Sequence, residues 1–371
     1  MLFGCATRDL NRVLAAPAKL GVSFAQLTVV DGRLIVLADD LDVRVTTWCD
    51  VTVESVSEIP GPVVYAPAHL LRDIAKQIPD GAVSVTFGAG SVTLSGSGVV
   101  TSVRTVPAEV ANLPTAPARP DTTTELDIVA FRRAVTQVLP ACSTDQSRGV
   151  LAGVSVAPSQ GVLVLAGTDS YRLHVTETSA FDAPTMRATV IPAYAVRVLL
   201  TVFDGVDPVR LHVSKERVTI MDDHAVLTAR CIMDPFPVYQ KLLPETRRAV
   251  THVTVDSGRL LDALSIANPM AKQAPTAAGV VTVTVTPEDN QVTVESSASD
   301  VGDTAVDIPA VSVKGEYIQF DANLLFLAAA VKSAACERVE LWFTAPEAPV
   351  LVTGFGAAGY KAVVMPVRVP R

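Results

Sequence analysis

The side chains that could do chemistry are few and scattered. Asp169 is the one acid in an unusual setting, inside Gly167-Thr168-Asp169-Ser170-Tyr171-Arg172-Leu173. A carboxylate three residues before an arginine could act as a base. It is flanked by Thr168 and Arg172, and no catalytic motif accompanies it, so capping or an ion pair with Arg172 is the expectation. The acid pairs Asp39-Asp40 and Asp222-Asp223 stand where strand-like runs end. Neighbours in a strand point to opposite faces, so these pairs read as turns and not as convergent dyads. The five histidines, His69, His174, His212, His224 and His252, lack metal-ligand spacing. The five cysteines, Cys5, Cys49, Cys142, Cys231 and Cys336, include no CxxC pair and read as reduced, mostly buried thiols. No GxxxxGK[ST], HExxH or GxSxG occurs. The expectation is a protein without catalytic residues, metal or cofactor.

Three segments carry a different promise. They are the stretch from Gly167 to Leu173, the run Phe236-Pro237-Val238-Tyr239-Gln240-Lys241-Leu242-Leu243-Pro244, and the tail from Tyr360 to Arg371. Each is short, part apolar and part cationic. Together they read as walls of a surface groove for a peptide.

The elements that must position these segments form a threefold repeat. Helices are predicted to open at Pro67, Pro192 and Asp321, each followed by strand-like alternation. The intervals are 125 and 129 positions. A second helix precedes each of these by about half a repeat: Thr7 to Leu20, Ile128 to Leu139, and Ser257 to about Gln273. A period this long means whole domains. Proline- and threonine-rich text from Pro114 to Thr124, and Pro244 to Arg248, mark the linkers. The predicted domains are 1–120, 121–247 and 248–371, in an α+β fold with two helices and antiparallel sheets per domain.

The chain has 371 residues, 49% hydrophobic and 18% charged, which fits a folded protein with several cores. No apolar run reaches the length of a membrane span, and no signal peptide is expected at the start. A cytoplasmic location follows as an expectation. Net charge is −8, yet the six helical spans sum to +7 and the remainder to −15. The helical cations are Arg8, Arg12, Lys19, Arg72, Lys76, Arg132, Arg133, Arg197, Arg259, Lys272 and Lys332. If the helices line one surface, that surface suits a phosphate backbone held without base reading.

The motifs resemble those of the bacterial DNA sliding clamp family, the beta subunit of DNA polymerase III. Thr168-Asp169-Ser170-Tyr171-Arg172-Leu173 is similar to the family's T-D-G-H-R-L. The run Phe236 to Pro244 resembles F-P-D-Y-R-R-V-L-P, and Val363-Val364-Met365-Pro366-Val367-Arg368 resembles V-V-M-P-M-R. Ser147 to Gly153 resembles V-R-Y-Y-L-N-G. The resemblance implies a head-to-tail homodimeric ring of six domains around duplex DNA. It also implies a groove for the clamp-binding peptide of polymerases and clamp loaders. Carried over, the groove residues are Arg148, Leu151, Thr168, Tyr171, Arg172, Leu173, Pro237, Lys241, Leu242, Val363, Val364, Met365, Pro366, Val367 and Arg368. Ser170 and Tyr171 replace Gly-His, Lys241 replaces an arginine, and Pro370-Arg371 extend the tail. Thr101 stands where an aromatic packs at the ring interface, leaving Val103 and Met270 to supply apolar contact. The alternative is a clamp-like paralogue that binds partner peptides without serving as the replicative clamp.

Overall fold

The computed structural model describes residues 1–55, 63–107, 122–180, 187–203, 208–273, 279–299, 301–356 and 359–368. Most of the first predicted linker, the predicted helix end at Asp204-Gly205, and Pro370-Arg371 lie outside these residues. Among the described residues, six α-helices each follow a strand at once or after one residue: α1 (Thr7–Leu20), α2 (Ala68–Ala75), α3 (Ile128–Val138), α4 (Ala193–Val202), α5 (Ser257–Ala271) and α6 (Leu324–Ala334). In α1 the buried positions Leu10, Val13, Leu14 and Pro17 fall at helical spacing, and Gly21 ends the helix at φ 79°.

The three predicted helix starts differ in detail. Pro67 precedes α2 directly, as Pro192 precedes α4, but Pro192 is also the last residue of a strand. That strand lies at a sheet edge, where a missing N–H is tolerated. In the third copy Asp321 lies in a strand and accepts a hydrogen bond from Thr282 Oγ1 at 2.6 Å. Asn323 caps α6 instead, accepting from Phe326 N at 3.1 Å.

The chain groups into two units, and the middle repeat is shared between them. The first unit takes Met1–Val129 and the strands from Val209 to Arg230. It holds a five-stranded sheet, ending on the edge strand Val99–Arg104, and an eight-stranded sheet. In the latter Ala225–Arg230 of the middle repeat pairs with Val43–Asp50 of the first. The second unit takes most of the rest and holds a nine-stranded and a four-stranded sheet. Strands pair antiparallel in both units.

The nine-stranded sheet positions the site. Its middle strands run Val162–Thr168, Arg172–Thr178, Lys361–Val364, Val350–Gly354 and Arg338–Phe343. Successive residues alternate between faces. Val339, Leu341, Val350, Val352, Ala362 and Val364 point into a core shared with Leu260, Leu264, Leu327 and Val331 of α5 and α6. The intervening residues Leu351 and Val363 point the other way. They join Ala166, Leu173, Val175 and Tyr239 in a second, smaller cluster.

Candidate functional site

An outward sheet face is ordinarily polar. Here five neighbouring strands put Ala166, Leu173, Val175, Val363, Leu351 and Trp342 on that face. The run after Met233 covers part of it. Phe236, Tyr239 and Leu243 dip into the cluster, with the Phe236 and Tyr239 rings edge to face at 6.0 Å. Burial raises the Tyr239 hydroxyl above its usual range. Between the dipping residues, Pro237, Val238, Lys241 and Leu242 remain exposed. The result is an apolar floor beside an apolar, cationic rim.

The turn from Thr168 to Leu173 closes one end. Asp169 Oδ1 accepts from the backbone N–H groups of Tyr171 and Arg172 at 3.0 and 3.1 Å. Its Oδ2 accepts from Arg172 Nε at 2.9 Å, with the pair only 11% and 15% exposed. Asp169 therefore caps a turn and pairs with arginine. Ser170 sits at φ 79°, a conformation that glycine adopts without strain. Its hydroxyl takes a hydrogen bond from Arg148 Nη2 at 3.0 Å, while Arg148 Nη1 donates to Asp169 O at 2.8 Å. Leu151, half-buried, lies in the same 3-10 segment as Arg148.

The tail forms the adjoining wall. Arg172 and Leu173 pair in register with Val364 and Val363. Met365 N donates to Tyr171 O at 2.9 Å, and Val367 N donates to Asp321 O at 2.8 Å. Pro366 bridges to Ala322, so the tail leaves the nine-stranded sheet there and joins the four-stranded one. Met365 and Arg368 are exposed.

The carried-over residues thus divide. Thr168, Tyr171, Leu173, Pro237, Lys241, Leu242, Val363 and Met365 surround the floor. Arg172 and Val364 face the helices instead: Val364 is core, and the Arg172 guanidinium lies 4.2 Å from the centre of the Phe326 ring. Phe326 was not foreseen. It also stacks against Tyr171 at 6.5 Å, and no local pattern links positions so far apart in sequence. Val175 and Ala166 were missed as well, although strand alternation from Leu173 points to Val175.

Under the turn, Gly167 packs against the end of α3. A Cβ there would lie 2.6 Å from Val138 O and 2.7 Å from Cys142 Sγ. His174, on the helix side, is fully buried, with Nδ1 2.9 Å from Gln137 O and 3.3 Å from the Tyr360 hydroxyl. Burial lowers its pKa to about 4, so it is neutral at pH 7. Tyr360 donates to Ala330 O at 2.9 Å and is raised well above the usual phenol range by burial.

The first unit repeats the turn with different contents. Asp40 Oδ1 accepts from Asp42 N and Val43 N, and Leu41 sits at φ 82°. Arg230 N donates to Asp42 O as Met365 N does to Tyr171 O. At the floor positions, however, Arg44 pairs with Thr228 where Leu173 pairs with Val363. Arg44 is buried against Asp39 as an ion pair. An apolar anchor placed there would meet desolvated charge.

The chain matches the family model described as DNA polymerase III beta subunit, central domain, over residues 125–238. It matches the C-terminal domain model of the same subunit over residues 240–368. The chain belongs to the DNA polymerase III beta subunit family. It is similar to the beta sliding clamp of Synechococcus elongatus, at 27% identity over 91% of this chain and 88% of that protein. Its fold matches the DNA polymerase III beta subunit of Thermotoga maritima with a TM-score of 0.86 at 20% identity, covering 100% of both chains. It also matches a sliding clamp from Pseudomonas aeruginosa bound to griselimycin, with a TM-score of 0.82 at 18% identity and 100% of both covered. The residues that surround the floor fall inside the two beta subunit domain matches.

The helical cations are distributed over both units. In the first, Arg8, Arg12, Lys19 and Lys76 are exposed; Arg72 and Arg197 are half-buried. In the second, Arg133, Arg259, Lys272 and Lys332 are exposed, and Arg132 is half-buried and engaged. Among the described residues no helix is long and apolar enough to cross a membrane, and no cluster of His, Cys, Asp or Glu could hold a metal ion.

Proposed function

We propose that the chain is a DNA sliding clamp that tethers a polymerase and other partners through a peptide groove in its second unit. The observation that carries the groove is the outward-facing apolar cluster on the nine-stranded sheet, bordered by exposed Tyr171, Leu242 and Met365. An extended peptide with spaced large apolar side chains fits it. The exposed cations Arg148, Lys241 and Arg368 suit an acidic neighbour on that peptide. The test is fluorescence anisotropy with a labelled peptide carrying a glutamine and spaced Leu and Phe anchors. Saturable binding near micromolar, abolished by Leu173→Glu, is the expected result. No saturation up to millimolar peptide removes the groove reading.

The clamp action rests on DNA passing through a closed ring. The proposed three-domain division, at 1–120, 121–247 and 248–371, would give six domains in a dimer. Two edge strands support head-to-tail closure: Val99–Arg104 in the first unit and Gly302–Pro309 in the second. The first exposes Val100 and Arg104, the second Asp303 and Asp307. A heterologous contact of this kind closes only if its rotation closes. Val103, by contrast, is buried inside the first unit, so the apolar contact on that edge falls to Val100. Met270 lies beside Gly302 at the start of the opposing edge. The exposed helical cations would hold the backbone of duplex DNA loosely, without sequence reading or chemistry. A cytoplasmic location suits this role.

A further inference from the structure

We infer that Phe326 is a positioning residue for the peptide groove: by carrying Tyr171 and Arg172 on its ring, it holds the Tyr171 wall in place. This rests on the proposed peptide groove. The backbone of the turn is already fixed. Asp169 takes the Tyr171 and Arg172 amides, Arg148 holds the Asp169 carbonyl, and the Tyr171 carbonyl takes Met365 N. None of these bonds holds the Tyr171 side chain, which is 61% exposed just before the strand that starts at Arg172. A solvated aromatic with two rotatable bonds loses rotamer freedom when a ligand packs on it, and that loss weakens binding.

Phe326 removes the freedom beforehand. The two rings lie 6.5 Å apart at 28°, an offset stack. Phe326 is itself held from three directions. It is half-buried against the helix-side core, and its backbone N–H caps onto Asn323 in the first turn of α6. The Arg172 guanidinium lies over its ring, and Asp169 fixes that guanidinium from the side. The chain of contact runs from Asp169 through Arg172 and Phe326 to Tyr171. In the first unit, Asp42 stands at the position of Tyr171 and accepts the same tail hydrogen bond. That copy of the turn therefore has no ring for a helix residue to hold.

A double-mutant cycle tests this with the labelled Gln, Leu and Phe peptide. Phe326→Leu should weaken peptide binding about three- to tenfold in the wild-type background. Phe326→Tyr should restore it, because the ring and its stack remain. In a Tyr171→Ala background, Phe326→Leu should change affinity by less than twofold, because its effect passes through Tyr171. A merely structural loss would appear equally in both backgrounds and would overturn the inference. So would unchanged affinity of Phe326→Leu when the wild-type chain binds, and that result leaves the groove itself standing. A wild-type chain that binds no peptide overturns the groove reading and this inference with it. Thermal unfolding of each variant, followed at Trp342, shows whether the second unit remains folded during the measurement.

Discussion

Acid should destabilise the second unit through one histidine. His174 is fully buried and has a folded pKa of about 4, against 6.5 for a free imidazole. Its Nε2 finds no partner among the described residues, and Nδ1 faces a carbonyl, so protonation gains nothing at Nε2. The folded pKa is depressed, so the unfolded chain takes up the proton first as pH falls. Stability is therefore full above about pH 6.5 and declines until about pH 4. At about 1.4 kcal/mol per pKa unit, the loss by pH 4.5 is on the order of 2–3 kcal/mol and levels off below pH 4. The chain has two tryptophans, Trp48 and Trp342. In a Trp48→Phe background, Trp342 reports the second unit alone. Urea unfolding at pH 7.5 and 4.5 gives the slope for the wild-type side chain and for His174→Gln, which keeps a donor but does not titrate. The wild-type loss between the two pH values should exceed that of His174→Gln by roughly 2–3 kcal/mol. Equal slopes would show that His174 is solvated or protonated in the folded chain, and the burial argument would fail.

Met365→Ala trims an exposed wall residue and should weaken peptide binding several-fold in anisotropy, with the unfolding midpoint unchanged. Gly167→Ala forces a Cβ against Val138 O and Cys142 Sγ, and should cost about 1–3 kcal/mol in urea unfolding at Trp342. Asp169→Ala leaves the Tyr171 and Arg172 amides and the Arg172 side chain without their acceptor; it should cost about 1–3 kcal/mol and weaken peptide binding. Val100→Asp places a carboxylate on the edge strand that the proposed head-to-tail ring would set against Asp303 and Asp307. It should shift light scattering from twice the chain mass toward one, and an unchanged dimer would place the interface elsewhere.

The helix–strand repeat was legible because apolar periodicity and a fixed interval survive even where residues differ. Helix α1 matches its predicted span at both ends. The helix start at Asp321 was misplaced because aspartate suits a strand or a turn as well as a first helical turn. At Asp321 the deciding partner, Thr282, is distant in sequence. The turn chemistry of Asp40 and Asp169 was readable from local spacing alone. The shared middle repeat was not, because the pairing of Val43–Asp50 with Ala225–Arg230 depends on strands brought together by the fold. The same limit hid Phe326: a helix residue meets Tyr171 only through tertiary structure. Arg172 was carried over with the groove residues, and its expected pairing with Asp169 is present; the alternation that sends Leu173 outward sends Arg172 toward the helices.

Retention on circular DNA tests the central claim most directly. The chain is loaded by a clamp loader and ATP onto a nicked circular duplex, and the complex is isolated by gel filtration at moderate salt. A ring threaded on DNA has a topological hold that weak backbone contacts alone do not supply. The protein should co-elute with the circle and be released when one restriction cut linearises it. Equal retention on circular and linear DNA, or none on either, would contradict the clamp.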